Sequence, residues 1–472
     1  MLQIPTQRAW KAYAEWQKEY GDVIYLSALG QSILVVNSLE AAQELLAKRG
    51  PNYSDRPYTP VLGLINMEWT FALANYGTHW REQRAIFHRA LNYTQIHRYH
   101  PVIEQETRAF LPRLLADPKD HRNLIRYLLS AVIMRVSYGS ADYEHNKCLA
   151  HSAEAIIHGF FKYSNPSRLI VNTIHSLRFV PSWMPGAGWK RRLEEIAPHS
   201  DESRIKPFEE VQRRMKEGTQ TDYTALAAQF IEALPQTSDP DYAHQKENAM
   251  GVAAAAFVGG ADTSVGAAIA MVLALAMNPH VQRIAQDELD TIVGSTRLPS
   301  MSDLPHLPYI QAIVKEVTRW HTVLPLGIPH VSREEDTYNG YRIPAGTVVI
   351  PNSWAIMHDT KRFPDPYTFK PERYLGKDGK INTSILDGDA APFGYGRRIC
   401  PGRHFSNDNL LILAATLLAC FNIEPAADER GVPIPLRLEE ELDNLISAPL
   451  PYECTFVPRS PQHVALISSY RE

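Results

Sequence analysis

Residues 391–402 read Ala391-Pro392-Phe393-Gly394-Tyr395-Gly396-Arg397-Arg398-Ile399-Cys400-Pro401-Gly402, and this stretch decides the fold. One cysteine sits in a loop crowded with glycine and flanked by two arginines. Glycines let backbone N–H groups approach a single atom closely. Amides aimed at a sulfur stabilise a thiolate and tune any metal it holds. Neighbouring arginines lower a thiol's pKa. Pro401-Gly402 closes the loop, and the pattern then predicts an apolar helix from about Asn407 to Phe421. The plain structural reading is a buried cysteine in a glycine-rich turn. The loop alone leaves both readings open, so the rest of the chain has to separate them.

Upstream, Pro308 is a good first-turn residue for a helix to about His321. Glu316 and Arg319 share a face of that helix and can pair. As an exposed pair they contribute well under ~1 kcal/mol; with Arg373 as a third member they form a buried network. Nearer the start, Ser38 reads as the N-cap of a helix to Arg49, and helical patterning dominates from Trp80 to about Pro235, broken by Pro166, by Pro181 to Gly188 and by Pro198. Between that region and Pro308, the spacing predicts a long helix from Tyr242 to Met277. Its central part from Met250 onward holds a single charge, Asp262. By length it could cross a membrane. Ala and Gly dominate it, and a central Asp costs about 2.5–3.5 kcal/mol in a bilayer, so it reads as a core helix that is apolar all round. Gly259-Gly260 in mid-helix costs about 1 kcal/mol per glycine, which calls for close approach by something flat or small. Trp80 and Arg84 lie one helical turn apart and face the same way.

Phe393, Gly396, Arg398, Cys400 and Gly402 fit Phe-x-x-Gly-x-Arg-x-Cys-x-Gly, and this resembles the haem-binding loop of the cytochrome P450 family. Glu316-Val317-Thr318-Arg319 is similar to that family's Glu-x-x-Arg helix. Phe369-Lys370-Pro371-Glu372-Arg373-Tyr374 is similar to its Pro-Glu-Arg-aromatic segment. Gly259 to Ser264 resembles its oxygen-binding helix, and Trp80-Arg81-Glu82-Gln83-Arg84 its Trp-x-x-x-Arg helix. All five occur in the family's order across nearly the whole chain.

The resemblance implies an α-rich α+β fold: a single domain over residues 1–472 with a small β region. Haem b is expected between the Asp262 helix and the Cys400 loop, with Cys400 as iron ligand and Phe393, Gly394 and Gly402 around it. Trp80, Arg84 and Arg398 are expected on the haem propionates, with His330 as a further donor. Glu316, Arg319 and Arg373 are expected to be structural. Asp262 and Thr263 are expected to relay protons; the plain alternative is an exposed Asp and a Thr bonded back to its own helix. Ala256, Gly260, Val323, Leu324, Leu326, Ile328, Ser447 and Leu450 are expected to line the substrate pocket, where plain core packing is the alternative. A thiolate ligand favours O–O cleavage, so the implied activity is insertion of one oxygen atom of O2 into a small-to-medium hydrophobic molecule. Electrons would come from NADPH through NADPH-cytochrome P450 reductase, with cytochrome b5 a second donor. Peroxide isomerases of this type tend to lack the Asp-Thr pair, which counts against that alternative. Haem sensing or electron carriage without turnover would need a sealed pocket.

Bulk properties agree. The chain has 472 residues, 44% of them hydrophobic and 21% charged, which is ordinary globular composition. A formal net charge of −4 argues against a nucleic-acid partner. Cys148, Cys400, Cys420 and Cys454 form no CxxC pair, so neither a zinc site nor a disulfide framework is expected. His97 and His100 have no third ligand nearby and read as a solvated helix end. Pro-Glu-Arg-Tyr at 371–374 and Pro-His-Val at 329–331 give the sequence a microsomal, fungal flavour. Membrane-bound members carry a spanning helix and a Pro-rich hinge ahead of the point where Met1-Leu2-Gln3-Ile4-Pro5 stands. The resemblance therefore implies an N-terminal anchor outside this chain and a native location on the cytosolic face of the endoplasmic reticulum. Leu177 to Pro185, followed by Lys190-Arg191-Arg192, mixes apolar tips with basic flanks and suits a lipid interface. An ordinary Pro-rich loop is the equal alternative.

Overall fold

The computed structural model describes residues 4–5, 7–28, 30–140, 142–164, 168–220, 222–440 and 445–470, with the backbone alone for 143–147. Among the described residues, the helices of twelve residues or more are α1 (Ala9–Tyr20), α2 (Thr78–Leu91), α3 (His100–Ala116), α4 (His121–Tyr138), α5 (Tyr143–Ser164), α6 (Gly188–Lys216), α7 (Tyr242–Met277), α8 (Pro279–Ile292), α9 (Pro308–Trp320) and α10 (Arg403–Cys420). The strands are β1 (Val23–Ala28), β2 (Gln31–Val36), β3 (His330–Val331), β4 (Asp336–Tyr338), β5 (Tyr341–Ile343), β6 (Val348–Pro351), β7 (Phe421–Pro425) and β8 (Cys454–Pro458).

The 36-residue α7 is the axis of the molecule. It is buried along most of its length from Asn248 to Ala276, as its all-round apolar sequence requires. Helices α2, α4, α5, α6, α9 and α10 all pack on it. It is long and apolar enough to cross a membrane, but 78% of its most apolar stretch lies inside the fold. The main sheet runs β1-β2-β6-β3, antiparallel except for the parallel β2–β6 pair. Asn339-Gly340 turns β4 into β5 with both residues at positive φ. A second apolar cluster joins this sheet region to the cysteine loop through Leu45, Leu46, Ala391 and Tyr395. The architecture is therefore helix-rich with small sheets.

Three local expectations need correcting. Helix α6 runs straight through Pro198, where the sequence pattern predicts a break. Pro198 and Glu194 one turn before it are exposed, so water can satisfy the carbonyl that the missing N–H leaves free. Helix α10 starts at Arg403 rather than near Asn407; its polar first turn hides the start, since only the later residues are continuously apolar. Ser38 caps the next helix as its residue type predicts, accepting from the Ala41 N–H, but from Gln43 the turns widen into a π-helix that ends at Lys48. The expected break at Pro166 lies outside the described residues.

Candidate active site

The cysteine loop is shaped by its own backbone. The Cys400 N–H donates to the Phe393 carbonyl over 2.7 Å, and the Gly394 N–H to Ala391 over 3.0 Å. Gly396 has φ +53°, and a Cβ there would stand 2.5 Å from the Leu46 carbonyl oxygen. Only glycine allows the loop to lie against the π-helical segment this closely. Cys400 ends the loop, partly accessible, just ahead of α10. Burial pushes its thiol up; the Gly402 N–H and the charges of Arg84 and Arg403 pull the other way. The first turn of α10 adds its positive dipole end. Cys420 and Cys454 lie buried in the core, with Cys454 on β8 beside His121, and neither sits in such a loop.

Helix α7 faces this loop. Gly259 is exposed in the middle of an otherwise buried helix, and a Cβ there would meet nothing within 4 Å. The open space is what a flat guest requires. Gly260 answers a different need: a Cβ there would come within 3.1 Å of Ile133 on α4. Its expected place on the pocket ceiling is therefore shared with helix packing. The Thr263 hydroxyl donates to the Gly259 carbonyl over 2.9 Å, the back-bond that the plain reading of this residue expects, and as a hydroxyl it can still accept. The Asp262 carboxylate points elsewhere. Arg126 of α4 lies 2.8 Å from Oδ1 and His158 of α5 lies 3.7 Å from Oδ2. Burial raises the Asp262 carboxyl, but His158 and Arg126 together outweigh it and hold it below the usual range. Asp262 is thus neither solvent-exposed nor bonded to Thr263.

The charged side chains that lead away from Cys400 are cationic. Trp80 packs under the Arg398 guanidinium, 4.6 Å from the ring centre. Arg398 donates to the carbonyls of Ser54, Phe71 and Ala74, and burial lowers its pKa to about 10. Arg84 makes no hydrogen bond to the protein among the described residues, and burial lowers it, against the pull of Cys400. Arg56 donates to the carbonyls of Ala72, Ile328 and Pro329; burial, with Arg398 nearby, lowers it strongly. Among the described residues no carboxylate lies within ion-pair distance of these three arginines. A guanidinium has five N–H groups. Arg56 and Arg398 each spend three, which leaves two apiece. Buried charges without partners are costly, and two carboxylates between them would remove the cost. The site fits haem on this count, through its two propionates, and on the open space at Gly259.

Arg56 was missed from sequence, where only its place in Asp55-Arg56-Pro57, with no motif around it, was visible. His330 is buried beside Arg56. Its Nδ1 lies 2.7 Å from the Tyr53 carbonyl, so Nδ1 carries the proton. Burial and Arg56 press its pKa well below the ordinary value. With Nδ1 committed to Tyr53, Nε2 is the ring atom His330 has left for a partner. Arg56, with two N–H groups to spare, is a further candidate to face a carboxylate.

Glu316 and Arg319 are fully buried, in a fork of two 2.8 Å bonds. Arg373 joins over 3.1 Å and the Lys370 N–H over 2.9 Å. Arg319 also donates to the Met357 carbonyl. The five-residue helix Ser353–Met357 carries that contact to the cysteine loop, where the Ser353 hydroxyl meets the Ala391 carbonyl and the Tyr395 hydroxyl.

Of the expected pocket residues, Ala256 is buried on α7. Val323 and Ser447 are joined by a 2.7 Å backbone bond and stand beside Gly266. Leu324 packs on the main core, and the Ile328 carbonyl binds Arg56. Two residues are placed differently from expectation. Leu326 packs on Trp10 and Trp354 near the N-terminal helix, and Leu450 is exposed. The alternation of apolar residues in Val323 to Ile328 did not distinguish the two faces of this short segment.

A thiol loop, a run of arginines leading away from it and an acid-bearing helix define a haem-thiolate oxygenase. The family model for cytochrome P450 matches residues 1–456. The chain is 48% identical over 470 residues to cytochrome P450 monooxygenase COX1 of Coprinopsis cinerea, covering 99% of this chain and 90% of that protein. It is 38% identical over 472 residues to cytochrome P450 monooxygenase 98 of Postia placenta, covering 99% and 90%. It is 33% identical over 473 residues to tryptamine 4-monooxygenase of Psilocybe cyanescens, covering 99% and 92%. The chain belongs to the cytochrome P450 family, and it is a haem-dependent monooxygenase with a redox partner and a hydrophobic substrate.

Proposed function

We propose that Cys400 is the iron ligand, that Arg56, Arg84 and Arg398 hold the haem propionates with Trp80 beneath Arg398, and that Thr263 and Asp262 manage protons on the opposite face. The observation that carries this reading is the run of three neighbouring arginines leading to Cys400, Arg56 and Arg398 buried and Arg84 half-buried, with no carboxylate at ion-pair distance among the described residues. When bound, the haem supplies the activation of dioxygen and its transfer to carbon. The protein's own residues do the rest. The Gly402 N–H and Arg84 favour the thiolate form of Cys400. The Thr263 hydroxyl can take and pass a proton at Oγ1; the Asp262 carboxylate, held by Arg126 and His158, would have to turn toward it, or reach it through water, to hand a proton on. Ala256, Val323 and Leu324 offer apolar walls that hold a hydrophobic substrate and exclude water.

Electrons come from NADPH through NADPH-cytochrome P450 reductase, with cytochrome b5 as a second donor. Arg81 and Arg397 both lie against the ring of Tyr76, at 5.8 and 5.4 Å, and both are exposed. They form a basic patch on the thiolate side that suits an acidic flavoprotein. The protein works at the cytosolic face of the endoplasmic reticulum membrane. Phe179 and Trp183 are 73% and 78% exposed, which favours a lipid contact over a packed loop. A cleft of about 600 Å³ lined by Lys162, Arg168, Arg191 and Arg192 lies beside them, as anionic headgroups would require.

The test is a screen of small apolar compounds for displacement of iron-bound water in the haem spectrum. Each hit is then turned over with reductase and NADPH under 18O2. One labelled oxygen per product molecule is expected. Products free of label, or turnover without NADPH and reductase, would contradict the reading.

A further inference from the structure

Asp262 reaches the surface through a built cluster. A small pocket of about 60 Å³ opens over its carboxylate, with Arg122, Arg126 and His158 on its wall. His158 Nε2 stands 3.7 Å from Asp262 Oδ2, and the His158 side chain is 55% exposed. Arg126 is shared, 2.8 Å from Asp262 and 3.2 Å from Glu154. The charged groups facing His158 are thus Arg126 and Arg122 from α4, Glu154 from its own helix α5 and Asp262 from α7. Among the described residues, the segment across the pocket contributes Ile446 and Ala448. Arg122 is turned to the Pro449 and Leu450 carbonyls, and an imidazole is the side chain suited to exchange a proton near neutral pH, which on this wall is His158.

We propose that His158 is the entry point for protons to Asp262, a positioning residue that links solvent to the oxygen-side carboxylate. This rests on the oxygenase reading above. The step is a balanced transfer. The charged ring holds a proton on each nitrogen. Its Nε2–H bond breaks and an Asp262 Oδ2–H bond forms, which leaves a neutral ring with its proton on Nδ1. Once Asp262 has passed its proton on, Nε2 takes a new one from hydronium or buffer at the exposed edge of the ring, and the imidazolium is restored. Asp262 raises the His158 pKa, against burial and Arg126, so the ring is charged and loaded across the pH range just above its ordinary value. The charge is lost as pH rises through that raised pKa.

Two measurements on the haem-loaded full chain test this. The His158 ring is titrated by NMR in the diamagnetic reduced carbon monoxide form, assigned by the signal lost in His158→Gln. Asp262→Asn should lower its pKa by about one unit or more; an unchanged value overturns the contact. NADPH-driven oxygen uptake at saturating reductase is then followed against pH. The parent should slow as pH rises through the His158 pKa. His158→Gln should be about tenfold slower and flat across that range. His158→Lys keeps a cation beside Asp262 but holds its proton to about pH 10, so it should stay slow. Full rate in the Lys variant, or a retained pH bend in the Gln variant, overturns the relay. No oxygen uptake with any residue at 158 overturns the oxygenase reading instead, while the titration still reports the pair.

Discussion

The hydroxyls of Ser264 and Ser406 lie 3.3 Å apart. Ser264 follows Thr263 on α7, and Ser406 sits in the first turn of the helix that begins just after Cys400. The contact links the helix that carries Thr263 to the helix that follows Cys400, so the two stretches the proposal assigns to oxygen and thiolate are joined directly.

Thr263→Ala removes a hydroxyl that can still accept, without disturbing packing. Product formed per NADPH consumed should fall several-fold, and released hydrogen peroxide should rise to match. Both are read in the same reaction. An unchanged ratio on a well-bound substrate would contradict the proton role.

Glu316→Gln leaves Arg319 charged and buried with its partner weakened. Breaking a buried pair in this way costs about 3–5 kcal/mol. Urea unfolding should shift by that amount, with haem lost early, because the Arg319–Met357 contact leads to Ser353 and the loop. Arg342→Gln, which breaks the exposed Arg342–Glu335 pair, should change stability very little.

Arg56→Leu removes one of the three unpaired guanidinium groups. Haem transfer to an apoglobin acceptor should become about tenfold faster or more, equivalent to roughly 1.4 kcal/mol. His330→Phe should affect it less, since burial and the Arg56 charge both work against a protonated Nε2 on His330. Equal effects from the two would count His330 among the donors.

Much of this was legible in the sequence because it lies in short, locally determined stretches. The Cys400 loop, the Glu316–Arg319 spacing and the α7 helix each follow from neighbours within a few residues. The partners of Asp262 were not legible. Arg126 and His158 are 136 and 104 positions away by residue number, on helices whose packing only the fold decides. Arg56 was invisible for the same reason: its role comes from three backbone carbonyls contributed by distant segments. Leu326 was misplaced because an apolar residue in a short irregular segment carries no period to say which way it faces.

Arg81→Glu combined with Arg397→Glu should slow the first electron transfer from reductase and weaken its dependence on ionic strength. Both residues are exposed on the Tyr76 patch, so folding is not at stake. Stopped-flow reduction under carbon monoxide, at low and high salt, reads both effects. Salt-independent reduction of the parent would exclude steering by this face.

The central claim is that Cys400 supplies the thiolate. Its most direct test is the absorption spectrum of the reduced carbon monoxide complex, compared between the parent and Cys400→Ser, with Cys148→Ser, Cys420→Ser and Cys454→Ser alongside. The parent and the three other variants should show the red-shifted Soret band of thiolate ligation, and Cys400→Ser alone should lose it. A band that survives in Cys400→Ser, or disappears with any other cysteine, would contradict the account.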